Sequence, residues 1–92
     1  MLSIVYTRQM KRDAKRMEKR GKNMAKLTDT LAKLATRQPL PPQYRDHQLK
    51  GTMKEFRECH LEPDWLLIYQ IFEDKLILSA SGTGTHSDLF NE

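Results

Sequence analysis

The residues Trp65-Leu66-Leu67-Ile68-Tyr69-Gln70-Ile71-Phe72 form a nearly continuous apolar run in the C-terminal half of the chain. A run of this length, bounded by turn residues, is typical of a central strand that is covered on much of both faces. The turns are Leu61–Asp64 before it and Glu73-Asp74 after it. Neighbouring strands are expected at Thr52–His60 and at Lys75–Ser81. This half of the chain therefore predicts a sheet built around residues 65–72.

The N-terminal half has a different periodicity. Leu2–Tyr6 alternates and is rich in β-branched residues, so it predicts a short strand. Two amphipathic helices are expected next, one over Arg8–Arg20 with Thr7 as its cap, and one from an Asn23 cap to about Thr36. Their apolar stripes consist of Met10, Ala14, Met17, Met24, Leu27, Leu31 and Leu34.

The predicted order β-α-α-β-β-β corresponds to an α+β fold, in which a helical hairpin packs on one face of a small antiparallel sheet. The other face of the sheet is expected to be open. We expect a single domain over residues 1–92, comprising a strand plus hairpin (1–38), a proline-rich loop (39–51) and the sheet with a C-terminal segment (52–92).

The composition argues against membrane and disulfide-rich classes. No stretch reaches the roughly 18 apolar residues that a membrane span needs, and Met1–Val5 lacks the pattern of a signal peptide. The single cysteine, Cys59, cannot form an internal disulfide and fits a reducing cytoplasm.

The net charge of +4 is unevenly distributed. Residues 1–38 carry eleven lysines and arginines against three acidic residues, whereas residues 39–92 carry five against nine. A basic half of this kind attracts a polyanion such as nucleic acid. The first helix concentrates this charge and is either a solvated face or, as we favour, a phosphate-binding strip. Its basic residues are Lys11, Arg12, Lys15, Arg16, Lys19 and Arg20.

The three histidines, His47, His60 and His86, all lie at the ends of predicted elements, where their side chains can reach a shared cleft. Asp64 follows His60 by four residues and is close enough in sequence to orient an imidazole. RNA carries its own nucleophile, the 2′-hydroxyl, so a protein needs only a base, an acid and a stabilising cation to cleave it. Histidine suits the first two tasks because its unperturbed pKa is near 6.5.

Other interpretations of these residues remain open. Each histidine taken alone is more often a hydrogen-bonded loop residue than a catalytic one. A zinc site is disfavoured because closely spaced His/His and Cys/His ligand pairs are missing, so no metal or other cofactor is expected. Trp65 and Phe90 are candidates for stacking on bases, with core packing as the alternative for Trp65 and closure of the core edge for Phe90.

Three strings resemble one family, the YafQ-type branch of the RelE/ParE toxin superfamily. They are YRDHQLKG at residues 44–51, FRECHLEPDWLLIY at 56–69 and TGTHSDLF at 83–90. The resemblance implies a microbial-ribonuclease-like fold and a type II toxin that cleaves mRNA in the ribosomal A site, leaving a 2′,3′-cyclic phosphate. It also implies a cognate antitoxin as partner, with operator DNA bound only through the toxin–antitoxin complex.

Carried over residue by residue, the resemblance assigns the active site to His47, His60, Asp64 and His86. His86 is the best candidate for proton transfer at the scissile phosphate. Phe90 matches a C-terminal aromatic residue that helps to bind the message, and the resemblance places the basic first helix against ribosomal RNA.

The chain departs from the family at Gly82, where the relatives have an arginine suited to stabilising the phosphorane. Lys50 and Arg57 are candidate substitutes. We therefore expect an endoribonuclease whose activity is reduced or lost. Two alternatives remain: a non-enzymatic toxin that binds a protein target, and a nucleic-acid-binding component of a toxin–antitoxin repressor complex.

Overall fold

The computed structural model describes residues 1–90, which form three α-helices, five β-strands and two short 3-10 helices. The elements in chain order are β1 (Ser3–Tyr6), α1 (Arg8–Lys19), α2 (Met24–Ala35), β2 (His47–Gln48), β3 (Arg57–Glu62), β4 (Trp65–Phe72), β5 (Ile77–Gly84) and α3 (His86–Phe90), with the 3-10 helices at Pro42–Tyr44 and Gly51–Met53. The α+β class and the position of the central strand are as the sequence predicts.

Both predicted helix caps are present. The Thr7 hydroxyl accepts the backbone N–H of Met10 at 3.1 Å, and the Asn23 side chain accepts that of Ala25 at 3.1 Å. Each bond satisfies one of the free N–H groups in the first turn of its helix.

The five strands form one sheet in the order β1-β5-β4-β3-β2. β4 is central, and it pairs antiparallel with β3 and with β5. β1 pairs parallel with β5, so the sheet is mixed and the prediction of a wholly antiparallel sheet is wrong in this respect. Apolar alternation predicts which face of a strand is buried but does not define the direction of the strand.

The core lies between the helical hairpin and one face of the sheet. Met10 and Met17 of α1 and Leu27 and Leu31 of α2 are buried there, as their stripes predict. The sheet residues in this core are Cys59, Trp65, Leu67, Tyr69, Leu78 and Ala80.

The strand boundaries differ from those predicted on both sides of β4. The expected strand at 52–60 begins only at Arg57, because the chain turns through a 3-10 helix at Gly51, which has a φ of +65°. Residues 82–84, which lie beyond the predicted end of the last strand at Ser81, continue β5, with Gly82 paired to Ile68 and Thr83 to Leu67. The glycines at 82 and 84 do not favour a strand by themselves, and this segment is a strand because it pairs with β4.

The second face of the sheet is less open than expected. Ile68 is only 5% exposed, and the side chains of Met53, Phe56, Leu89 and Phe90 line a cavity of about 280 Å³ over it. The loop before β3 and helix α3 therefore cover part of this face, and Leu66, between Gly84 and His60, is also fully buried.

Beyond the end of β1, a side chain of α1 replaces the neighbouring strand as the hydrogen-bond partner at the edge of β5. Asp13 is fully buried, and its Oδ2 accepts the backbone N–H of Thr83 at 3.1 Å. Its Oδ1 accepts from Gln9 at 2.7 Å and from Arg16 at 3.1 Å. A buried carboxylate needs partners of this kind.

None of the helices within residues 1–90 is both long and apolar enough to cross a membrane.

Candidate active site

Strand β3 presents two polar side chains on the face opposite the helices. Glu58 and His60 are two residues apart and therefore point the same way, while Cys59 between them points into the core. The Glu58 side chain is 7% exposed, and its Oε1 lies 3.3 Å from Nε2 of His60. The imidazole of His60 also contacts the backbone carbonyl of Pro63 through Nδ1, at 3.3 Å.

His47 joins this pair from the edge of the sheet. It lies in β2, directly opposite Glu58 in the antiparallel ladder. Its Nε2 is 3.8 Å from Oε1 of Glu58, and its Nδ1 is 2.6 Å from the backbone carbonyl of Arg45. Glu58 thus lies between two imidazoles.

His86 reaches the same place from the end of β5. Because β5 runs antiparallel to β4, its last residue, Gly84, is paired with Leu66, next to the turn that carries Asp64. Oδ1 of Asp64 accepts the backbone N–H of His86 at 2.9 Å and lies 2.6 Å from its ring Nδ1. The rings of His60 and His86 are 5.7 Å apart between centroids.

The structure thus brings together the four residues that the sequence suggested for catalysis. The ionised state of Asp64 is favoured in this arrangement, because the backbone N–H of His86 and then its ring hold the pKa of the carboxyl below its usual range. Nδ1 of His86 is committed to Asp64, so Nε2 is left as the nitrogen available to a substrate. The His86 side chain is 39% exposed, enough for an RNA phosphate to reach it.

Glu58 was missed by the sequence reasoning. The available signal was its spacing of two from His60 on a strand, which places both side chains on one face. We refer to His47, Glu58, His60, Asp64 and His86 together as the histidine cluster.

Two proposed RNA contacts are not placed at the cluster. Trp65 is fully buried and donates its indole N–H to Oγ1 of Thr83 at 2.9 Å, so core packing is correct and base stacking is not. Arg57 is aligned with Tyr69, on the core face of the sheet. Its Nε lies 3.3 Å from Asp46 and 3.3 Å from the Tyr69 hydroxyl. It therefore faces away from the histidines and does not replace the arginine that Gly82 lacks.

The other proposed contacts lie at the borders. Phe90 is partly buried and lines the cavity over Ile68, so it borders the cluster face rather than standing free. Lys50 is exposed, three residues after His47.

The basic face of α1 is divided by its ion pairs. Arg16 pairs with buried Asp13 at 3.1 Å, and Arg20 pairs with Asp88 at 2.6 Å. The remaining members of the predicted strip are exposed and keep their side chains at the surface: Lys11, Arg12, Lys15 and Lys19. We refer to these four as the basic strip.

Part of the histidine cluster also has the donor set of a transition-metal site. Glu58, His60 and His86 each offer one ligand atom, and these atoms lie within 4.8 Å of one another. Two imidazoles and one carboxylate are a common set for zinc. The second nitrogens of both rings are held by Asp64 and by the Pro63 carbonyl, as is usual for metal-ligating histidines.

Comparison with known proteins identifies the family. Residues 2–91 match the family model described as "Bacterial toxin of type II toxin-antitoxin system, YafQ". The chain belongs to the YafQ family. The resemblance predicted from the three sequence strings is thereby confirmed.

Relatives and solved structures agree with this membership. The mRNA interferase toxin YafQ of Escherichia coli K12 is 46% identical over 88 residues, which are 95% of this chain and 94% of that protein. A metal-bound toxin from Helicobacter pylori has a TM-score of 0.93 at 46% identity, with 98% of this chain and 100% of that one covered. The YafQ chain of the E. coli DinJ–YafQ complex has a TM-score of 0.88 at 41% identity, with 98% and 99% covered. The YafQ fold thus extends over nearly the whole chain.

Proposed function

We propose that this YafQ-family toxin cleaves mRNA at the histidine cluster by acid–base catalysis that needs no metal ion. The E. coli relatives are named mRNA interferases, which supports the endoribonuclease class predicted from the sequence. The observation that carries the mechanism is the Asp64–His86 pair beside His60. The ring centroids of His60 and His86 are 5.7 Å apart.

The reaction requires two proton transfers at one phosphate. One group takes the proton of the 2′-hydroxyl as its oxygen attacks phosphorus, and another gives a proton to the 5′-oxygen as the P–O5′ bond breaks. The products are a 2′,3′-cyclic phosphate and a 5′-hydroxyl. We assign one transfer to Nε2 of His86 and the other to His60, whose Nε2 would leave Glu58 as a phosphate enters between the two rings.

The remaining members of the cluster position these rings. Asp64 fixes the orientation of His86 through two contacts to one oxygen. Glu58 and the Pro63 carbonyl fix His60 from both ring nitrogens. His47, which is half exposed and close to Glu58, is placed to bind the substrate beside His60. Preorganisation of this kind is needed because small displacements of reacting groups cost large factors in rate.

The basic strip on α1 is proposed to contact ribosomal RNA, with Phe90 contacting the message at the border of the cluster. Four cationic side chains on adjacent turns of one helix face match a phosphate backbone. Such an action places the toxin in the bacterial cytoplasm, where ribosomes and mRNA are found.

The partner we assign to this chain is a cognate antitoxin that neutralises it. The E. coli relative has been crystallised as a DinJ–YafQ complex, and this chain has the same fold over nearly its full length. Operator DNA would be bound only through such a complex.

Gly82 reduces the activity of the native chain in this proposal. It lies in one cross-strand row with Ile68 and Glu58, on the face that carries the cluster. A Cβ at this position would be 3.3 Å from Oδ2 of Asp13 and 3.6 Å from Leu89. A side chain here therefore requires Oδ2 of Asp13 to move by a few tenths of an ångström, whereas Leu89 is at ordinary contact distance. With glycine, the position supplies no cation for the phosphorane.

A second function, metal binding, is favoured by the donor set of the cluster. One solved relative is described as a metal-bound toxin and another as a copper-bound mutant toxin. Here Glu58, His60 and His86 would hold a zinc or copper ion after moving to ligand separations of about 3.3 Å. A bound ion would occupy the imidazole nitrogens that the cleavage reaction uses, so it would inhibit rather than activate.

A reconstituted translation system tests both proposals. We expect cleavage of a translated message with 5′-hydroxyl ends, unaffected by TPEN, a chelator that binds zinc and copper and spares the magnesium that ribosomes need. Micromolar zinc should suppress this cleavage, and TPEN added afterwards should restore it. Cleavage that requires added metal would overturn the acid–base proposal. Cleavage that zinc leaves unchanged, together with no zinc binding by calorimetry, would overturn the metal proposal alone.

A further inference from the structure

Helix α3, which carries His86, is too short to be stable alone. It has five residues, and isolated helices of that length do not form in water. Its first turn is closed by a reciprocal capping box. Oγ1 of Thr85 accepts the backbone N–H of Asp88 at 3.1 Å, and Oδ2 of Asp88 accepts the backbone N–H of Thr85 at 2.9 Å.

The same carboxylate is bound by Arg20, 68 residues earlier in the chain. Nη1 of Arg20 donates to Oδ2 of Asp88 at 2.6 Å, and Nη2 donates to Oδ1 at 3.1 Å. Two parallel bonds of this type fix direction as well as distance. The Asp88 side chain is only 15% exposed, and the guanidinium of Arg20 holds the pKa of its carboxyl far below the usual range.

Gly84 makes room for this carboxylate. A Cβ at that position would lie 2.9 Å from Cβ of Asp88 and 3.0 Å from its Oδ2, closer than real Cβ contacts allow. The end of β5, the start of α3 and the end of α1 therefore meet at one carboxylate. His86 is the first residue of α3, so its position depends on this junction.

We infer that the Arg20–Asp88 pair, here called the clasp, positions His86 for catalysis, and that Arg20 is a positioning residue rather than an RNA contact. The inference removes Arg20 from the predicted phosphate-binding strip, and it rests on the proposed function of His86. Both donor groups of Arg20 that face Asp88 are already occupied, whereas Lys19, its neighbour, is exposed and remains in the basic strip.

The test compares Arg20→Ala, Asp88→Ala, the double variant and Lys19→Ala. We expect Arg20→Ala to lower the single-turnover cleavage rate about 10- to 100-fold, which is the scale for a misplaced catalytic group, with little change in ribosome affinity. In the Asp88→Ala background, Arg20→Ala should have no further effect. Lys19→Ala should instead weaken ribosome binding, and Arg37→Ala, which breaks a similar two-bond ion pair with Glu73 outside the cluster and the basic strip, should change neither quantity.

A phosphate contact by Arg20 would give the opposite pattern. Arg20→Ala would then weaken ribosome binding by the same factor with or without Asp88, and that result would overturn the inference.

A second readout does not require cleavage and so separates failure of the clasp from failure of the proposed function. Amide hydrogen exchange at His86 and Leu89 should be at least ten times faster in Arg20→Ala, while the buried indole N–H of Trp65 stays protected and reports an intact core. Unchanged exchange at α3 would overturn the inference even if cleavage were lost.

Discussion

The two faces of the sheet are built in different ways. The core face is made by repetition: each strand and helix contributes apolar residues at a regular period, and Cys59, Leu67 and Leu78 are all fully buried there. The opposite face, here called the catalytic face after the proposed function, is made by single residues from separate segments: His47 from β2, His60 from β3 and His86 from the start of α3. The packing of the core face is shared among many residues of every element, whereas the arrangement of the catalytic face depends on a few interatomic distances between side chains.

The largest effect that separates the two faces is expected from His86→Gln. Cleavage should fall about 10²- to 10⁴-fold, the range for loss of a general acid or base, while the free energy of unfolding loses only the exposed ring contact to Asp64. Single-turnover cleavage and chemical denaturation measure the two quantities.

The matched control on the opposite face is Leu67→Ala. It should destabilise the fold by about 2–5 kcal/mol and leave the cleavage rate of the folded fraction near that of wild type. Equal losses of stability in both variants would contradict the division between the faces.

Gly82→Arg is expected to raise the cleavage rate and to leave the core face unchanged. Position 82 lies in the cross-strand row of Glu58, on the face that carries the cluster, and a preorganised cation at a developing anion contributes about 10²- to 10³-fold in rate. Cleavage in a translation system and growth arrest on induction are the measurements. Gly82→Gln is the neutral control, and an equal gain with glutamine would show that filling the cavity, not the charge, matters.

A smaller effect is expected from pH. The pKa of Asp64 is lowered in the fold by the backbone N–H and ring of His86, so the stability from this contact is fully present above the unfolded pKa of about 3.9 and is lost as the pH falls through the folded value. The unfolding free energies of wild type and Asp64→Asn should therefore differ at pH 5–8 and converge below about pH 4. A difference that stays constant down to pH 2 would contradict the assignment.

The smallest effect concerns the thiol of the core face. Burial raises the pKa of Cys59 to about 12, so the thiol should resist alkylation by iodoacetamide at pH 8 in the folded protein and react once the chain is unfolded. Mass spectrometry of the labelled protein gives the extent of reaction. Equal labelling rates in the folded and unfolded protein would show that this face opens readily.

Sequence reasoning was most successful for features that many residues specify together through one period. The stripes of α1 and α2 and the run at 65–72 predict the core and the central strand, because each depends on many residues with one period. The direction of β1 and the continuation of β5 through Gly82 were not predictable in this way, since they depend on pairing with distant strands.

The site could be predicted only in part. The histidines and Asp64 were found from residue chemistry and resemblance, but Glu58 was missed. Core packing, one of the two interpretations of Trp65, is the correct one, and Arg57, a candidate substitute for the missing arginine, lies on the core face. The alternation of side chains along a strand shows which residues share a face. It does not show which face the helices cover, and that decides whether an aromatic or a cation meets solvent.

The carboxylate of Asp13 has a consequence for association. An unpaired strand edge is a template for adding a strand from another molecule, and β5 would expose one beyond the point where β1 ends. Asp13 occupies the N–H of Thr83 there. Strand addition is thereby blocked beside the histidines, and any neighbour that extends this sheet from the same side must do so along β1.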